Sequence, residues 1–269
     1  MMSSIASHTI TRHTLPEIAS MAPAVFGARP ARHMTERYQH VKTAEVLSAL
    51  MDRGYTITSA SQERARKRDP KTVRHMVTMV HSKALSAPRF KEGVPTLLLW
   101  NSHNGRSQLK FCSGFFRFIC SNGLIIGEVE QEFAFRHAAK PLEMLDQTLD
   151  LLAARTTGSL ERMTEWRGIE LSNRRVVSFA EKAAKLRFGE EAGGAYSVEQ
   201  ILHVRRPEDA GNSLWRVMNR VQENLMRGGV EGRSANGRKI ASRAVNNITL
   251  NLSFNKGLWS LAEQYAEAA

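Results

Sequence analysis

Near residue 140 the hydrophobic period of this chain turns from that of strands to that of helices, and that switch constrains the fold more than any other feature. From residue 55 up to it, apolar residues follow the two-residue repeat of strands. Tyr55, Ile57 and Ser59 alternate with threonine and alanine, and "VRHMVTMV" at 73–80 is β-branched and half apolar. "PTLLLWN" and "SQLKFC" flank "SHNGR", where Asn104-Gly105 favours a tight hairpin turn, and "GFFRFICSNGLIIGE" breaks at Asn122-Gly123. Asp69-Pro70 signals another turn, so residues 55–80 read as a hairpin whose arm carries "ERARKRDPK". After the switch, Leu142, Leu145, Leu149 and Leu152 recur at helical spacing behind Pro141, which suits a first helical turn.

The remaining elements fit this division. Residues 14–26 look like a short helix or paired turns. Thr43 is placed to cap "AEVLSALMDRG", in which Val46, Leu47, Leu50 and Met51 share one face. Val176, Val177, Ala180, Ala184 and Leu186 predict a helix ending at Gly189, and Ser197 with Gln200 forms a capping-box pattern. Asn212 can cap a helix lined by Leu214, Val217, Met218, Val221 and Leu225. "RAVNNITLNLSF" fits either period: Ile248, Leu250, Leu252 and Phe254 alternate as in a strand, while Ala244, Ile248 and Leu252 suit a helix. A helix over 256–267 closes the chain. The expected class is α+β: an N-terminal helix and antiparallel β-meander, then a mainly helical C-terminal half. At 269 residues this reads as one domain, with a sheet-rich half at 14–135 and a helical half at 140–267.

Charge narrows the partner. There are 38 Lys+Arg against 26 Asp+Glu, a formal net charge of +12, and the sequence pI is near 10.1. Such an excess favours anionic partners and says nothing of fold. Nucleic acid is the leading class; an acidic protein or an anionic membrane surface is the alternative. Cys112 and Cys120 sit in no CxxC or Cys/His pattern, so they read as reduced core thiols rather than metal ligands. The N-terminus lacks the apolar stretch of a signal peptide, and the longest apolar run, "TLLLW" at 96–100, is far short of a membrane span. These readings predict a cytoplasmic protein with no membrane partner, no cofactor and no metal.

Three stretches are candidate phosphate contacts. "RGGVEGRSANGRKIASR" at 227–243 holds four glycines and five cations against one acid, Glu231. Arg233, Arg238, Lys239 and Arg243 supply charge there, Ser234 and Asn236 extra donors, and the glycines let backbone N–H groups approach a phosphate. A solvated linker between helices is the competing reading. "RARKR" contributes Arg64, Arg66, Lys67 and Arg68 on the expected hairpin arm, where cations also serve to protect a strand edge. "FFRF" sets Arg117 among phenylalanines, a combination used for base stacking, although core packing accounts for the rings as well. Catalytic signals are weaker. His103 in "NSHNG" could activate water, but Ser, Asn and Gly are hairpin residues and a turn tip often carries an exposed histidine. Glu128, Glu130 and Glu132 alternate on one strand face, as metal ligands or as a solvated acidic face. No HExxH, GxSxG or Walker loop is present.

"LLWNSHNGRSQLKFCSGFFRFICSNGLIIG", "LWRVMNRVQENLMRGGVEGRSANGRK" and "FNKGLW" together resemble the family called domain of unknown function 932. Within it they resemble the prophage- and plasmid-borne uncharacterised protein family 0380, from about residue 14 to the end. The resemblance implies cargo of a mobile element, often found near recombination, single-strand-binding or anti-restriction genes, and it brings no established catalytic residues. The order of helix, meander and helices is also similar to single-strand annealing recombinases of the Rad and Red-beta types, at the level of fold. The expected function is non-catalytic nucleic-acid binding, with single-stranded DNA favoured and self-association possible. An anti-defence protein docking on a host nuclease or nucleoprotein is the alternative, and a metal-dependent nuclease using His103 and the 128–132 carboxylates is the third reading.

Overall fold

A computed structural model describes residues 11–36, 38–85, 93–117, 124–125, 133–135 and 143–269. The chain gathers into two compact units: residues 1–125 with 129–156, and residues 126–128 with 157–269.

The first unit is a meander under short helices. Helix α1 (Leu15–Met21) starts where the Thr14 N–H donates to the Glu17 carboxylate, 2.7 Å away. A 3-10 turn (Pro23–Phe26) and α2 (Thr43–Asp52) follow. Strands β1 (Tyr55–Gln62), β2 (His75–His81), β3 (Gly93–Asn101) and β4 (Leu109–Arg117) pair in sequence order, all antiparallel, with the short α3 (Ser82–Leu85) after β2. β5 (Leu124–Ile125) and β6 (Phe133–Phe135) take successive stretches of the far edge of β4. The alternation in sequence becomes cross-strand rows: Ala60 faces Val77, Val77 faces Leu99, and Leu99 faces Phe111. Ile18, Val46, Leu47 and Leu50 complete that core. Burying such a row is worth about 1.5–3 kcal/mol per large side chain.

The expected α+β class, with its meander and helical second half, is what the chain adopts. Several local expectations are corrected. Thr43 does not cap α2: Lys42 holds the N-cap position, and the Thr43 hydroxyl is turned into the core. Met51 leaves the apolar face and is exposed. The β3–β4 connection runs over 102–108 rather than through a two-residue turn, because residues 101–104 are drawn into a buried polar network. Pro141, Leu142, Asn122-Gly123 and Glu128, Glu130 and Glu132 lie outside the described residues.

Helix α4 (Leu145–Gly168) contributes residues to both units. The second unit continues with α5 (Asn173–Phe188), α6 (Glu190–Gly193), α7 (Val198–Ile201), a 3-10 turn (Pro207–Asp209), α8 (Leu214–Arg227), β7 (Glu231–Arg233), β8 (Lys239–Ala241) and α9 (Ile248–Glu267). The ambiguous 244–254 stretch resolves as helix, since the Asn247 side chain accepts from Leu250 N–H and starts α9. The helix expected to end at Gly189 is α5, on which Val177 and Leu186 are exposed while Val176, Ala180 and Ala184 are buried. Ser213, not Asn212, is the N-cap residue of α8; the Asn212 amide instead donates to Asn173.

Helix α8 is buried on nearly every side, including Asn219, Arg220, Gln222, Glu223 and Asn224. A helix buried all round must satisfy its polar side chains internally. Arg206 forms two hydrogen bonds to the Glu223 carboxylate, at 2.8 and 2.9 Å. Asn224 donates to the Ile201 and His203 carbonyls, and Gln222 to Asn255. Burial pushes the Glu223 carboxyl up, but the Arg206 hydrogen bond and the charges of Arg206, Arg205 and Arg227 outweigh it and hold the group below the usual range.

Candidate nucleic-acid interface

The glycine- and arginine-rich stretch is an ordered hairpin. β7 and β8 pair antiparallel, with Glu231 opposite Ala241, Gly232 opposite Ile240 and Arg233 opposite Lys239. At its tip Ser234 N–H donates to the Arg238 carbonyl, and Arg233 Nη1 to the Gly237 carbonyl at 3.1 Å. Its base is closed by Gly229 N–H to Ser242 O and Ser242 N–H to Val230 O. Read from the sequence as a phosphate-contacting loop or a solvated linker, the segment forms a hairpin because its glycines permit close backbone contact. A Cβ on Gly228 (φ +79°) would lie 2.5 Å from Ala244 N, and one on Gly232 would lie 2.4 Å from Ala195 O. The hairpin gains a third extended segment at 195–197, through Arg233 N–H to Ala195 O and Ser197 N–H to Glu231 O. Gln200 reaches back to the same edge: it accepts from Glu231 N–H at 2.7 Å and donates to the Glu231 carboxylate.

On this frame Arg233, Asn236, Arg238, Lys239 and Arg243 are exposed, and Ser234 is half-buried with its hydroxyl toward the Arg238 carbonyl. Arg233 and Lys239 are cross-strand partners, an arrangement of like charge that is destabilising unless an anion lies between them. The one acid, Glu231, is engaged by Gln200. A cleft of about 810 Å³ opens beside the hairpin, lined by Tyr196, Gln200, Gly232, Arg233, Lys239 and Ile240 among others. The sequence does not signal Tyr196: its Gly193-Gly194 neighbourhood reads only as a loop, and the pairing of 195–197 with β7 is tertiary.

The second basic stretch is also relocated. β1 ends at Gln62, so Arg64, Arg66, Lys67 and Arg68 are not on a strand arm but in the β1–β2 connection. Arg68 N–H donates to the Ala65 carbonyl, which places Arg66 and Lys67 at the tip of a turn, and Arg66 has φ +45°. A non-glycine residue in that region costs of order 1–3 kcal/mol and persists only where its surroundings hold it. Here the Asp69 carboxylate accepts from Lys71 N–H, and Gln62 donates to the Pro70 carbonyl, fixing the adjoining turn. Arg64, Arg66 and Lys67 are exposed; Arg68 is half-buried. Arg117 ends β4 opposite Gly93, and its side chain lies outside the described residues.

His103, expected at an exposed turn tip, is fully buried, and its polar groups are occupied by structure. Its N–H donates to Thr72 O, its carbonyl accepts from Ala31 N–H, and Nε2 lies 2.9 Å from Ala24 O. A carbonyl only accepts, so Nε2 carries the proton and Nδ1 accepts from His40 Nε2 at 3.0 Å. Beside it, His75 Nδ1 donates to Val73 O, and its Nε2 accepts from the Thr43 hydroxyl, which accepts from Asn101 Nδ2. Burial lowers His75 to about 4, against the Val73 hydrogen bond. The "NSHNG" motif therefore pins residues 24–43 to the sheet, and His103 has no geometry for activating water. Among the described residues no three His, Cys, Asp or Glu side chains converge on a metal-sized site, and no helix is long and apolar enough to cross a membrane.

The chain belongs to the family Domain of unknown function (DUF932), whose model matches it over residues 31–259. Among curated relatives, it is 33% identical over 254 residues to the UPF0380 protein YfjQ of Escherichia coli (strain K12), covering 93% of this chain and 90% of the relative. It is 32% identical, with the same coverage, to the UPF0380 protein YafZ of that strain. No solved structure matches it.

Proposed function

We propose that the chain is a nucleic-acid-binding protein that acts without chemistry, with single-stranded DNA as its favoured ligand, serving strand binding or annealing in the recombination of a mobile genetic element. One observation supports this above the others. Arg64, Arg66, Lys67, Arg68, Arg233, Arg238, Lys239 and Arg243 have no carboxylate partner among the described residues, whereas Arg53, Arg74, Arg162, Lys185 and Arg206 do. Cations held on ordered turns without an internal counter-charge attract an external polyanion, and each phosphate they neutralise releases a counter-ion.

The test is binding of the purified protein to single- and double-stranded oligonucleotides across a salt series. Affinity should fall steeply with salt and favour the single strand. Replacing Arg233, Arg238 and Lys239 with alanine should lower the slope of log affinity against log salt by roughly two, at about 0.7 per phosphate. Melting temperature should barely move, since exposed cations contribute little to folding. Absence of oligonucleotide binding would overturn the reading in favour of docking on a protein, and cleavage that appears only with added Mg²⁺ would overturn its non-catalytic part.

A further inference from the structure

The polar network of α8 ends in an excess of positive charge. Three guanidiniums, those of Arg206, Arg205 and Arg227, act on the one buried carboxylate of Glu223. Arg206 alone satisfies both of its oxygens, through Nε at 2.9 Å and Nη2 at 2.8 Å. Arg227, in the last turn of α8, comes only to 4.0 Å. Arg205 forms no ion pair among the described residues, and exposed Glu208 on the same segment pairs with neither. A network that served only to bury Glu223 would be complete with Arg206. Arg205 is nonetheless held in place: its Nε donates to Asn224 Oδ1, while the Asn224 amide nitrogen donates to the Ile201 and His203 carbonyls. Asn224 is neutral, so it orients the guanidinium without cancelling its charge. The terminal nitrogens of Arg205 have no partner among the described residues, and both Arg205 and Arg227 are exposed.

We infer that Arg205 and Arg227 form a further phosphate-binding site, which takes the backbone of the same strand that the β7–β8 hairpin contacts. The planar guanidinium fork matches phosphate oxygens and is weakly hydrated, so it gives up water readily to such a ligand. A side chain already held by its neighbours also loses less freedom on binding. The charge left over around Glu223 favours an outside anion. A helix-capping role suits Arg227, whose cation stands at the C-terminal end of α8, but it does not account for Arg205. The pair shares its scaffold with the hairpin. Gln200 of α7 bonds to Glu231 on β7, the adjacent Ile201 carbonyl accepts from Asn224, and Arg227 leads directly into Gly228 and Gly229 at the hairpin base. Both sets of cations are thus tied to α7. This inference rests on the nucleic-acid reading above and extends its footprint to the end of α8.

The experiment measures binding of a thymidine oligonucleotide across a salt series, by wild type and by the double variant Arg205→Gln, Arg227→Gln. For two lost contacts to a single strand, the slope of log affinity against log salt should fall by roughly 1.4, at about 0.7 per phosphate. Arg174→Gln with Lys256→Gln, an equal change of charge at exposed positions on α5 and α9, should leave the slope near that of wild type. Equal falls in the two double variants would overturn the site, because net charge alone would then explain them. An unchanged slope in the Arg205, Arg227 variant would overturn it too. A second measurement needs no variant to fold: arginines of the wild-type protein are modified with phenylglyoxal, with and without saturating oligonucleotide, and mapped by mass spectrometry. Bound strand should protect Arg205 and Arg227 and leave Arg174 reactive; undiminished modification of Arg205 and Arg227 would refute the pair. In each of these failures the oligonucleotide still binds in a salt-dependent way, whereas failure of the broader reading would abolish binding altogether.

Discussion

Acid should loosen this protein through His75, and the size of the effect follows from its burial. The imidazole, fully buried at the start of β2, is held neutral by desolvation, its ordinary value of 6.5 lowered to about 4. In the unfolded chain it titrates near the ordinary value. Between those two limits the unfolded state binds a proton that the folded state refuses, so stability falls as the pH falls. Above the unfolded value the contribution is complete; below about 4 the folded state is protonated too and the loss levels off. At about 1.4 kcal/mol per pH unit, the whole window is worth about 3 kcal/mol, a large part of the typical 5–15 kcal/mol of a folded domain. The assay is urea unfolding at half-unit steps from pH 7 to 4, on wild type and His75→Asn, whose amide can keep the donor to Val73 O. The variant should start lower, because the Thr43 hydroxyl loses its acceptor, but its stability should fall less steeply across the window. Carboxylates common to both proteins cancel in the difference. A difference that stays flat between pH 6.5 and 4.5, or a His75 ring resonance that titrates near 6.5, would refute the assignment.

Two further outcomes follow from the same geometry. His103→Ala should cost about 2–4 kcal/mol, seen as a lower urea midpoint, because it leaves a cavity and removes the buried imidazole's hydrogen bonds to the Ala24 carbonyl and His40; oligonucleotide affinity of the folded fraction should be unchanged. Gly228→Ala should destabilise by about 1–3 kcal/mol, since its Cβ would meet the backbone at Ala244 and the residue sits at φ +79°; unchanged thermal unfolding would show that the hairpin base is looser than described.

What the sequence determined by itself is whatever depends on periodicity and local chemistry. The two-residue repeat of Val77, Met79, Leu97 and Leu99 dictates strands with one face in the core, and Val176, Ala180 and Ala184 dictate a helix, because side-chain direction follows from backbone geometry alone. The concentration of cations at 64–68 and 233–243 was equally legible, since charge is a property of composition. Tertiary structure decided the rest. Whether "NSHNG" is an exposed tip or a buried staple depends on residues 24–43, distant in sequence, covering it with the Ala24 carbonyl and His40. Whether α8 has one buried face or is enclosed depends on partners such as Arg206 and Asn255, which no helical period reports. The glycine-rich stretch became a hairpin because Gly228 and Gly232 let two backbones approach within contact distance, and Tyr196 entered the candidate site only through that approach. Local sequence sets which way a side chain can point; long-range contacts alone set what it meets.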